Sequence, residues 1–321
     1  MLVTLTPNPS IDATVSLRNE LEAGLVHRAE SVTQVAGGKG INVARAAQLA
    51  DWPSVAIFPS AQRDPFVTLI DDMGLDYIAE AIPGHIRVNT TVTEPGGRTT
   101  KLNGQGPHVS ADAQQGLIDK LSTAVQGADW LVLAGSLPQA VPTDWYVTVI
   151  AALRTAAPKL KIAVDTSDAP MVALADGLST AAPDLIKPNG MELGQLTGVD
   201  GLALESAAAQ GDYSGVVEAG NKILAMGIPE VLVTLGSAGA VYIDTTGAWV
   251  AGPPPTAVQS TVGAGDAALA GFIMARSQSA EPADALLRAV AYGSAAAALP
   301  GTTMPTPLQL DLQNTTVSAL S

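Results

Sequence analysis

Short apolar runs rich in β-branched residues alternate along the chain with longer stretches that repeat apolar residues at helical spacing. The predicted strands are residues 2–6, 55–58, 130–135, 161–167, 184–189 and 231–236, and the predicted helices are residues 41–50, 112–125, 143–156 and 216–226. This alternation favours parallel strands, because each crossover between them needs a connection of helix length. The pattern therefore predicts an α/β fold, with a doubly wound, mostly parallel sheet and helices on both faces.

Two regions depart from this alternation. Residues 11–35 and 86–103 alternate polar and apolar positions, and the sequence EPGGR at residues 94–98 is typical of a hairpin turn. We expect these two regions to form a small β-sheet lid on a main domain made of residues 1–10, 36–85 and 104–321. We expect residues 199–215, which are rich in alanine, glycine and acidic side chains, to be a loose surface connection.

The charge of the chain limits its partners. With 321 residues, 47% of them hydrophobic and 4% aromatic, the chain can bury a large aliphatic core. Its formal net charge of −14 argues against nucleic acids and anionic membranes, because binding to them depends on clustered lysine and arginine. An anionic ligand would have to meet a local group of the 16 basic residues, together with a metal cation.

Several classes of site are disfavoured by what the sequence lacks. The chain has no cysteine, which excludes a disulfide framework and is compatible with a reducing compartment. The first residues do not combine a basic region with an apolar run, so we expect a cytoplasmic protein that is neither secreted nor inserted in a membrane. The three histidines lack metal-ligand spacing, and neither GxSxG nor a strand followed by GxGxxG occurs, which disfavours zinc, hydrolase and nicotinamide sites.

The strongest local signal is the sequence STVGAGDAALAGF at residues 260–272, where a glycine-rich turn leads into an apolar helical pattern. Gly263 and Gly265 let the backbone amides of residues 263–266 converge at the positive end of a helix, which suits an anion. A carboxylate at Asp266 would repel a resting phosphate, so its position favours a base that accepts the proton of an attacking hydroxyl. Alternatively, Asp266 only caps the helix.

A second motif, AGGKGINVAR, places glycines around a lysine before a helix. It is not a P-loop, because GxxxxGK[ST] does not occur in the chain. Gly37 and Gly38 allow close backbone approach, while Lys39 offers a cation and Asn42 an amide, a set that suits a phosphorylated polyol. Asp12, after the first strand, adds an acceptor for sugar hydroxyls. The alternative is a plain glycine-rich turn before a helix.

Two further motifs end predicted strands. In IKPNGMEL, Asn189 and Glu192 could hold the water shell of Mg²⁺, which takes few protein ligands, or they could simply begin a capped helix. In TLGSAGAVY, residues 234–242, a glycine turn joins two strands. This turn is either an ordinary hairpin or a place where a nucleotide lies against bare backbone.

In this order, the motifs TPNPSID, AGGKGINVAR, AGSLP, VDTS, KPNGMEL, TLGSAGA and STVGAGD resemble those of the ribokinase-like (PfkB-type) sugar kinases, from residue 3 to about residue 303. The resemblance implies a ribokinase-like sheet with a lid that doubles as a homodimer interface. It also implies ATP-dependent phosphorylation of a sugar phosphate with Mg²⁺, and it leaves monovalent-cation activation open. GGKGxN and TTKLNGQGP are most similar to the bacterial 1-phosphofructokinases, although tagatose-6-phosphate kinases and minor 6-phosphofructokinases share almost every motif.

The resemblance also implies roles for matching residues. Asp266 would be the base, and the amides of Gly263, Ala264 and Gly265 would form the anion hole. Residues of the sugar pocket would be Asp12, Gly37, Gly38, Lys39, Asn42 and Ser136, with Arg87 and Lys101 of the lid gripping the substrate phosphate. Residues of the nucleotide and magnesium side would be Lys187, Asn189, Glu192, Thr234, Gly236, Ser237, Gly239, Gly265 and Gly293.

The family pattern has a glycine-bearing segment with an acidic residue after the strand at 55–58, whereas SAQRDPF, residues 60–66, carries Arg63 and no glycine. The resemblance therefore does not predict the residues at the rim of the sugar pocket. A kinase for nucleosides or unphosphorylated sugars would not need the lid cations Arg87 and Lys101. A sugar-phosphate-binding sensor without turnover would not need Asp266 within an intact GAGD. Both alternatives are therefore disfavoured.

Overall fold

The structure, a computed structural model, describes residues 1–320. The strands are β1 Leu2–Leu5, β2 Ser10–Leu17, β3 Ala29–Gly37, β4 Ser54–Ser60, β5 Tyr77–Ala81, β6 Arg87–Thr93, β7 Thr99–Asn103, β8 Trp130–Ala134, β9 Lys161–Asp165, β10 Leu185–Ile186, β11 Glu230–Thr234, β12 Ala240–Asp244, β13 Gly247–Gly252 and β14 Thr316–Leu320. The helices are α1 Lys39–Leu49, α2 Pro65–Met73, α3 Ala111–Ala124, α4 Trp145–Ala156, α5 Asp168–Asp176, α6 Gly190–Thr197, α7 Gly201–Ala208, α8 Ser214–Met226, α9 Ala264–Ser277 and α10 Pro282–Ala297. Short 3₁₀ turns occupy Gly236–Ala238 and Pro307–Gln309.

The main sheet has the strand order β14-β13-β12-β11-β10-β9-β8-β1-β4-β5. The strands from β11 to β5 are parallel, while β12, β13 and β14 extend the β11 edge with antiparallel pairs. Each of the six predicted strands lies in the parallel part, so the predicted α/β fold is confirmed. The carboxyl ends of these strands meet at one edge of the sheet, where the motifs follow them.

The core lies on both faces of this sheet, as expected for parallel strands covered by helices. In β8, Val132 packs in the core that α9 and α10 cover, whereas the next residue, Leu133, packs in the core that α3 and α4 cover. Because successive side chains of a strand point to opposite faces, an unbroken apolar run is what a doubly covered strand requires. None of the helices formed by residues 1–320 has the length and apolar character needed to cross a membrane.

The lid is a four-stranded sheet with the order β3-β2-β6-β7. Strand β2 runs parallel to β6 and antiparallel to β3, and the β6–β7 hairpin turns at the predicted EPGGR sequence, where Glu94 N donates to Arg98 O at 2.9 Å. Successive side chains of these strands point to opposite faces of the lid. Asp12, Asn89 and Lys101 face the main domain across a cleft. On the opposite, mainly apolar face, Val32, Val88 and Leu102 are exposed, while Ile11 is buried.

The SAQRDPF segment joins the main domain to the lid. Asp64 is the N-cap of α2, where its Oδ1 accepts from Phe66 N at 2.9 Å. Its Oδ2 accepts from Ile86 N, also at 2.9 Å, one residue before β6 begins. The acidic residue of this segment therefore ties the base of the lid to the main domain.

The expectation of a loose connection over residues 199–215 is wrong, because this segment contains helix α7. Asp200 is its N-cap, with Oδ1 accepting from Leu202 N at 3.0 Å and from Ala203 N at 3.3 Å. Leu204 and Ala208 are buried on one side of the helix. Alanine and leucine are strong helix formers, so the segment needed only this cap and a short apolar face to fold.

Candidate active site

A cleft of about 890 Å³ separates the polar face of the lid from the main domain. Its walls include Asp12, Asn89 and Lys101 of the lid, Asn42 of α1 and the loops at residues 258–262 and 300–304. The helices α1, α6 and α9 begin near this side of the sheet, after β3, β10 and the loop at 258–262. The cleft thus lies beyond the carboxyl ends of the strands, where ligands bind in sheets of this kind.

The N-terminus of α9 is built on a left-handed glycine. Gly263 is the N-cap with φ 83°, a conformation that favours glycine, and it turns the chain so that Ala264, Gly265 and Asp266 form the first turn. Asp266 is buried, and its Oδ2 accepts a hydrogen bond from Asn42 Nδ2 at 2.8 Å. Because Gly263 is the N-cap, the alternative that Asp266 caps the helix does not hold. The Asp266 carboxylate is instead held by the hydrogen bond from Asn42 of α1.

The environment of Asp266 makes it more basic than an ordinary aspartate. Burial and the neighbouring carboxylate of Asp165 raise the pKa of Asp266 to about 6, while the Asn42 hydrogen bond and the charges of Lys187 and Lys39 act in the opposite direction. A carboxyl group with this pKa is ionised at neutral pH and still accepts a proton readily. This is the property required of a general base.

A buried carboxylate that sequence reasoning did not assign lies beside it. Asp165, the last residue of β9, is fully buried, with Lys39 Nζ 2.6 Å from Oδ1 and Lys187 Nζ 3.1 Å from Oδ2. Burial acts to raise the pKa of Asp165, but the charges of Lys187 and Lys39 outweigh it and lower the pKa overall. Lys187 also approaches the amide cradle, because a Cβ added at Gly265 would lie 3.2 Å from its Nζ. Two cations therefore converge next to Asp266.

The lid contributes a second carboxylate to the cleft. Asp12 Oδ1 accepts from Ser10 Oγ at 2.8 Å and from Asn89 Nδ2 at 3.2 Å. Burial raises the pKa of Asp12, and these hydrogen bonds and the charges of Arg87 and Lys101 offset part of the rise. Gly37 lies so close that a Cβ there would collide with the Asp12 carboxylate. Gly37 was predicted to let a ligand approach the backbone closely. In the structure its missing side chain makes room for the Asp12 carboxylate.

The next glycine turns the chain from the lid into α1. Gly38, the N-cap of α1, has φ 127°. A Cβ there would lie 2.7 Å from Thr6 Cγ2, so both the backbone conformation and the space require glycine. Lys39 and Asn42 follow in the first turn of α1, which is how the motif brings both side chains to Asp165 and Asp266.

The two lid cations are not equivalent. Arg87, the first residue of β6, pairs with Ser10 of β2. Its Nη2 donates to Asn8 O at 3.1 Å. Lys101 pairs with Thr91, four residues after Arg87 on β6. At the usual rise of a strand, Arg87 and Lys101 are therefore roughly 13 Å apart along the strand direction. Only extended side chains could bring both cations to one phosphate.

Three of the buried polar atoms without a partner among residues 1–320 lie around Asp12 and Arg87. They are Asn8 Oδ1, Arg87 Nε and Asn89 Oδ1. Ser136, which was predicted to line the sugar pocket, lies beside these atoms, because its Oγ accepts a hydrogen bond from Asn8 Nδ2 at 3.1 Å. Buried polar groups are normally hydrogen-bonded, so unpaired acceptors beside a carboxylate fit a ligand with several hydroxyl donors. Sequence reasoning missed Asn8 and Asn89, although TPNPSID contains the first of them.

On the nucleotide side, Asn189 and Glu192 form a capping box at the start of α6. Asn189 Oδ1 accepts from Glu192 N, and Asn189 N donates to Glu192 Oε2, both at 2.8 Å. This is the helix-capping alternative for the motif, and it occupies the Asn189 side chain. Burial raises the pKa of Glu192, partly offset by the Asn189 hydrogen bond, and the second carboxylate oxygen is not used by the box.

The remaining nucleotide-side positions lie close to this box or to α9. Thr234 forms a bridge with Asn189, and the turn at Gly236–Ala238, which includes Ser237, leads into the hairpin with β12. At Gly239 a Cβ would collide with the carbonyl oxygen of Ala251, so this glycine is required by the hairpin itself. Gly293 of α10 packs against the first turn of α9, where a Cβ would lie 3.1 Å from Ala264 O.

The donor set fits a nucleotide with Mg²⁺. Amides at the start of α9 together with Lys187 suit phosphate oxygens. No cluster of three or more His, Asp or Glu side chains in the described chain is placed to ligate a metal. Mg²⁺ does not need one, because it keeps several waters and uses few protein ligands. The free oxygen of Glu192 could therefore meet it through water.

Comparisons with known proteins agree with this geometry. The model of the pfkB family carbohydrate kinases matches residues 6–309. A 1-phosphofructokinase of Xanthomonas campestris pv. campestris is 34% identical over 278 residues, which cover 85% of this chain and 83% of the relative.

Solved structures show the same fold. Phosphofructokinase-2 from Escherichia coli is 25% identical in its complex with fructose-6-phosphate, with a TM-score of 0.80 and coverage of 92% of this chain and 93% of that chain. In its complex with potassium the identity is also 25%, the TM-score is 0.84 and the coverage is 97% and 96%. Arabidopsis thaliana ribokinase, complexed with ribose and ATP, is 21% identical with a TM-score of 0.74 over 97% of each chain.

The expected ribokinase-like fold, a mostly parallel sheet with a small separate sheet, is therefore confirmed. The match of the family model spans nearly the whole chain, including every motif from TPNPSID to STVGAGD. The chain belongs to the pfkB family of carbohydrate kinases.

Proposed function

We propose that the protein transfers the γ-phosphoryl group of ATP to the 6-hydroxyl of fructose 1-phosphate and forms fructose 1,6-bisphosphate. The observation that carries the proposal is the position of Asp266, a buried carboxylate with a raised pKa in the first turn of α9, directly after the Gly263–Gly265 backbone amides. The similarity to relatives named 1-phosphofructokinase supports the choice of substrate.

In this proposal Asp266 accepts the proton of the sugar hydroxyl as the new O–P bond forms. The amides of Gly263, Ala264 and Gly265, with the ammonium of Lys187, stabilise the negative charge of the group in transit. ATP supplies the phosphoryl group and leaves as ADP. Glu192 and Asn189 would hold Mg²⁺ through water, and the bound ion would supply positive charge to the nucleotide phosphates. The turn at Thr234–Gly239 and Gly293 would flank the adenosine.

The sugar would lie between the lid and α1. Asp12 and Asn42 would order its hydroxyls, together with Ser136 and the backbone at Gly37 and Gly38, while Lys39 would neutralise charge near the acceptor. Arg87 and Lys101 are the cations that would hold the 1-phosphate. Closure of the lid would exclude water, which otherwise competes as acceptor.

The choice among phosphosugars is tested by comparing kcat/KM for fructose 1-phosphate, fructose 6-phosphate and tagatose 6-phosphate in an ADP-release assay. We expect fructose 1-phosphate to be preferred by at least about tenfold. A preference for either 6-phosphate would assign the chain to the corresponding kinase instead. Tight binding of a sugar phosphate without ADP release would indicate the sensor.

Monovalent-cation activation is suggested by the potassium complex of Escherichia coli phosphofructokinase-2. We propose that K⁺ raises turnover of this protein as well. The test compares kcat in potassium chloride with kcat in choline chloride at equal ionic strength. Equal rates in the two salts would refute activation.

We also propose a homodimer formed through the apolar face of the lid. On this face Val32, Val88 and Leu102, which lie on three different strands, expose 59%, 41% and 62% of their surface, and exposed apolar residues of this size on one face can mark an interaction site. Sedimentation velocity is expected to show a dimer that Leu102→Asp converts to a monomer. The control Val26→Asp changes an exposed valine outside the lid strands and should leave the dimer intact.

A further inference from the structure

We propose that Asp165 is a positioning residue that holds Lys39 and Lys187 on one buried carboxylate and thereby fixes the sugar side of the site relative to the nucleotide side. The inference rests on the proposed function, because it assigns these lysines to the two halves of that site. It concerns a residue whose side chain is directed at the lysines and not at a substrate.

The geometry of the three groups supports this role. Lys39 begins α1 immediately after the lid strand β3, and Lys187 follows β10 just before the Asn189 capping box. They are 148 positions apart in the chain, yet they contact the two oxygens of one carboxylate, at 2.6 Å and 3.1 Å. The 3.1 Å contact lacks hydrogen-bond geometry, and the described residues offer Asp165 Oδ2 no other partner. It is therefore an ion pair that need not occupy the donors of Lys187.

The charges explain why such a clamp is needed. A lysine ammonium is a point charge on a flexible stem, and burial favours its neutral form. Lys39 is nevertheless held in its charged form, because the carboxylates of Asp165, Asp266 and Glu192 together more than offset burial and raise its pKa, with Asp165 contributing most. Asp165 itself has no exposed surface. A fully buried ion is stable only when it is paired, so each member of this cluster depends on the others.

The clamp also acts on the base. The groups that face Asp266 are Asp165 of β9, Lys187 after β10, Lys39 of α1 and the hydrogen-bonding amide of Asn42. Asp165, Asp266 and the two lysines thus form a compact cluster of two anions and two cations, and the carboxylate of Glu192 is close enough to interact with both lysines. Loss of the Asp165 charge removes a repulsive neighbour of Asp266 and leaves both lysines free to move towards it.

The experiment is a double-mutant cycle of Asp165→Asn with Lys39→Met and with Lys187→Met, using kcat for fructose 1-phosphate. Asp165→Asn is expected to lower kcat by about 10²- to 10³-fold, the usual effect of losing a preorganised charge contact. If it acts through the lysines, the same exchange in either Lys→Met background should lower kcat by less than about tenfold. The acid limb of kcat against pH should also move to lower pH.

Asp184→Asn is the matched control. Asp184 also holds two cations, Arg154 at 2.8 Å and Lys161 at 3.1 Å, but at the opposite end of the strands from the cleft. Its loss is expected to lower the melting temperature without moving the acid limb or changing kcat more than about threefold. A purely structural role of Asp165 would give the same result as this control and would refute the inference.

A readout without turnover separates this inference from the proposed function. Asp165→Asn should raise the rate at which Lys39 is acetylated by an N-hydroxysuccinimide ester at pH 7.5 by about tenfold, because one unit of pKa changes the neutral fraction tenfold. Mass spectrometry of the modified peptides measures this rate. Unchanged Lys39 reactivity together with additive kcat effects would overturn the clamp. Absence of turnover with any sugar phosphate in the wild type, with raised Lys39 reactivity in the variant, would refute the function alone.

Discussion

Replacement of Asp266 by asparagine is expected to increase the stability of the folded protein at neutral pH while it abolishes most of the turnover. In the folded state the pKa of Asp266 is raised from 3.8 to about 6 by burial and by the charge of Asp165. A carboxyl group whose pKa is higher in the folded than in the unfolded state binds its proton more tightly when folded. Its ionisation therefore destabilises the fold increasingly as the pH rises from about 4 to about 6.

The size of this effect follows from the shift. About two pKa units correspond to roughly 3 kcal/mol of destabilisation at pH 8, where the group is ionised in both states. At pH 5 the folded group is still mostly protonated, and the corresponding destabilisation is roughly 1–2 kcal/mol. An asparagine keeps the shape and a hydrogen bond to Asn42 but has no such pH dependence. The stability of the variant relative to the wild type should therefore increase by roughly 1–2 kcal/mol between pH 5 and pH 8.

Urea denaturation of both proteins at pH 5, 6 and 8 measures this difference. Asp184→Asn serves as the opposite control, because loss of a carboxylate that bridges Arg154 and Lys161 should destabilise the protein at pH 8. A constant difference between wild type and Asp266→Asn across the pH range, or a variant less stable at pH 8, would show that the environment of Asp266 is not the one described.

Four other exchanges test three separate features of the protein. Arg87→Ala and Lys101→Ala should each raise KM for the sugar phosphate by tenfold or more with little change in KM for ATP; equal effects on both KM values would contradict a phosphate-gripping role. Gly265→Ala should lower kcat by roughly tenfold with no loss of melting temperature, because the new Cβ would press on Lys187 Nζ, 3.2 Å away, and not on backbone; an unchanged kcat would contradict it. Ala140→Gly should stabilise the protein by about 0.5–1 kcal/mol, because Ala140 is exposed and has φ 65°, and loss of stability in urea titrations would refute that reasoning.

The sequence predicted the elements whose signals are local. Apolar runs such as residues 130–135 form strands that are buried on both faces. A short, unbroken apolar run is therefore the expected sequence of a central strand. The turn before α9 was recognisable because the glycines required for a left-handed N-cap and for close approach, Gly263 and Gly265, are separated by a single residue in the chain. Helix α7 was missed because alanine-rich segments with acidic residues are as common in surface connections as in short capped helices.

The site itself could be predicted only in part, because its contacts join distant positions. Asn42 and Asp266 are 224 residues apart, and Lys39 and Asp165 are 126 residues apart. Nothing in the spacing of a strand-ending Val-Asp-Thr-Ser shows that its carboxylate will meet two lysines. The same limit applies to Asn89, whose neighbour Asp12 comes from another strand of the lid. Residue type and local motif identified the chemistry of single positions, whereas the pairing that tunes them depends on the fold.

The central claim is that Asp266 serves as the base for phosphoryl transfer. A rapid-quench single-turnover experiment at pH 8, with saturating ATP, Mg²⁺ and fructose 1-phosphate, measures the chemical step of the wild type and of Asp266→Asn. We expect a chemical step slower by about 10²- to 10⁴-fold in the variant, with dissociation constants of both substrates within about threefold of the wild type. A chemical step of unchanged rate in the variant would contradict it.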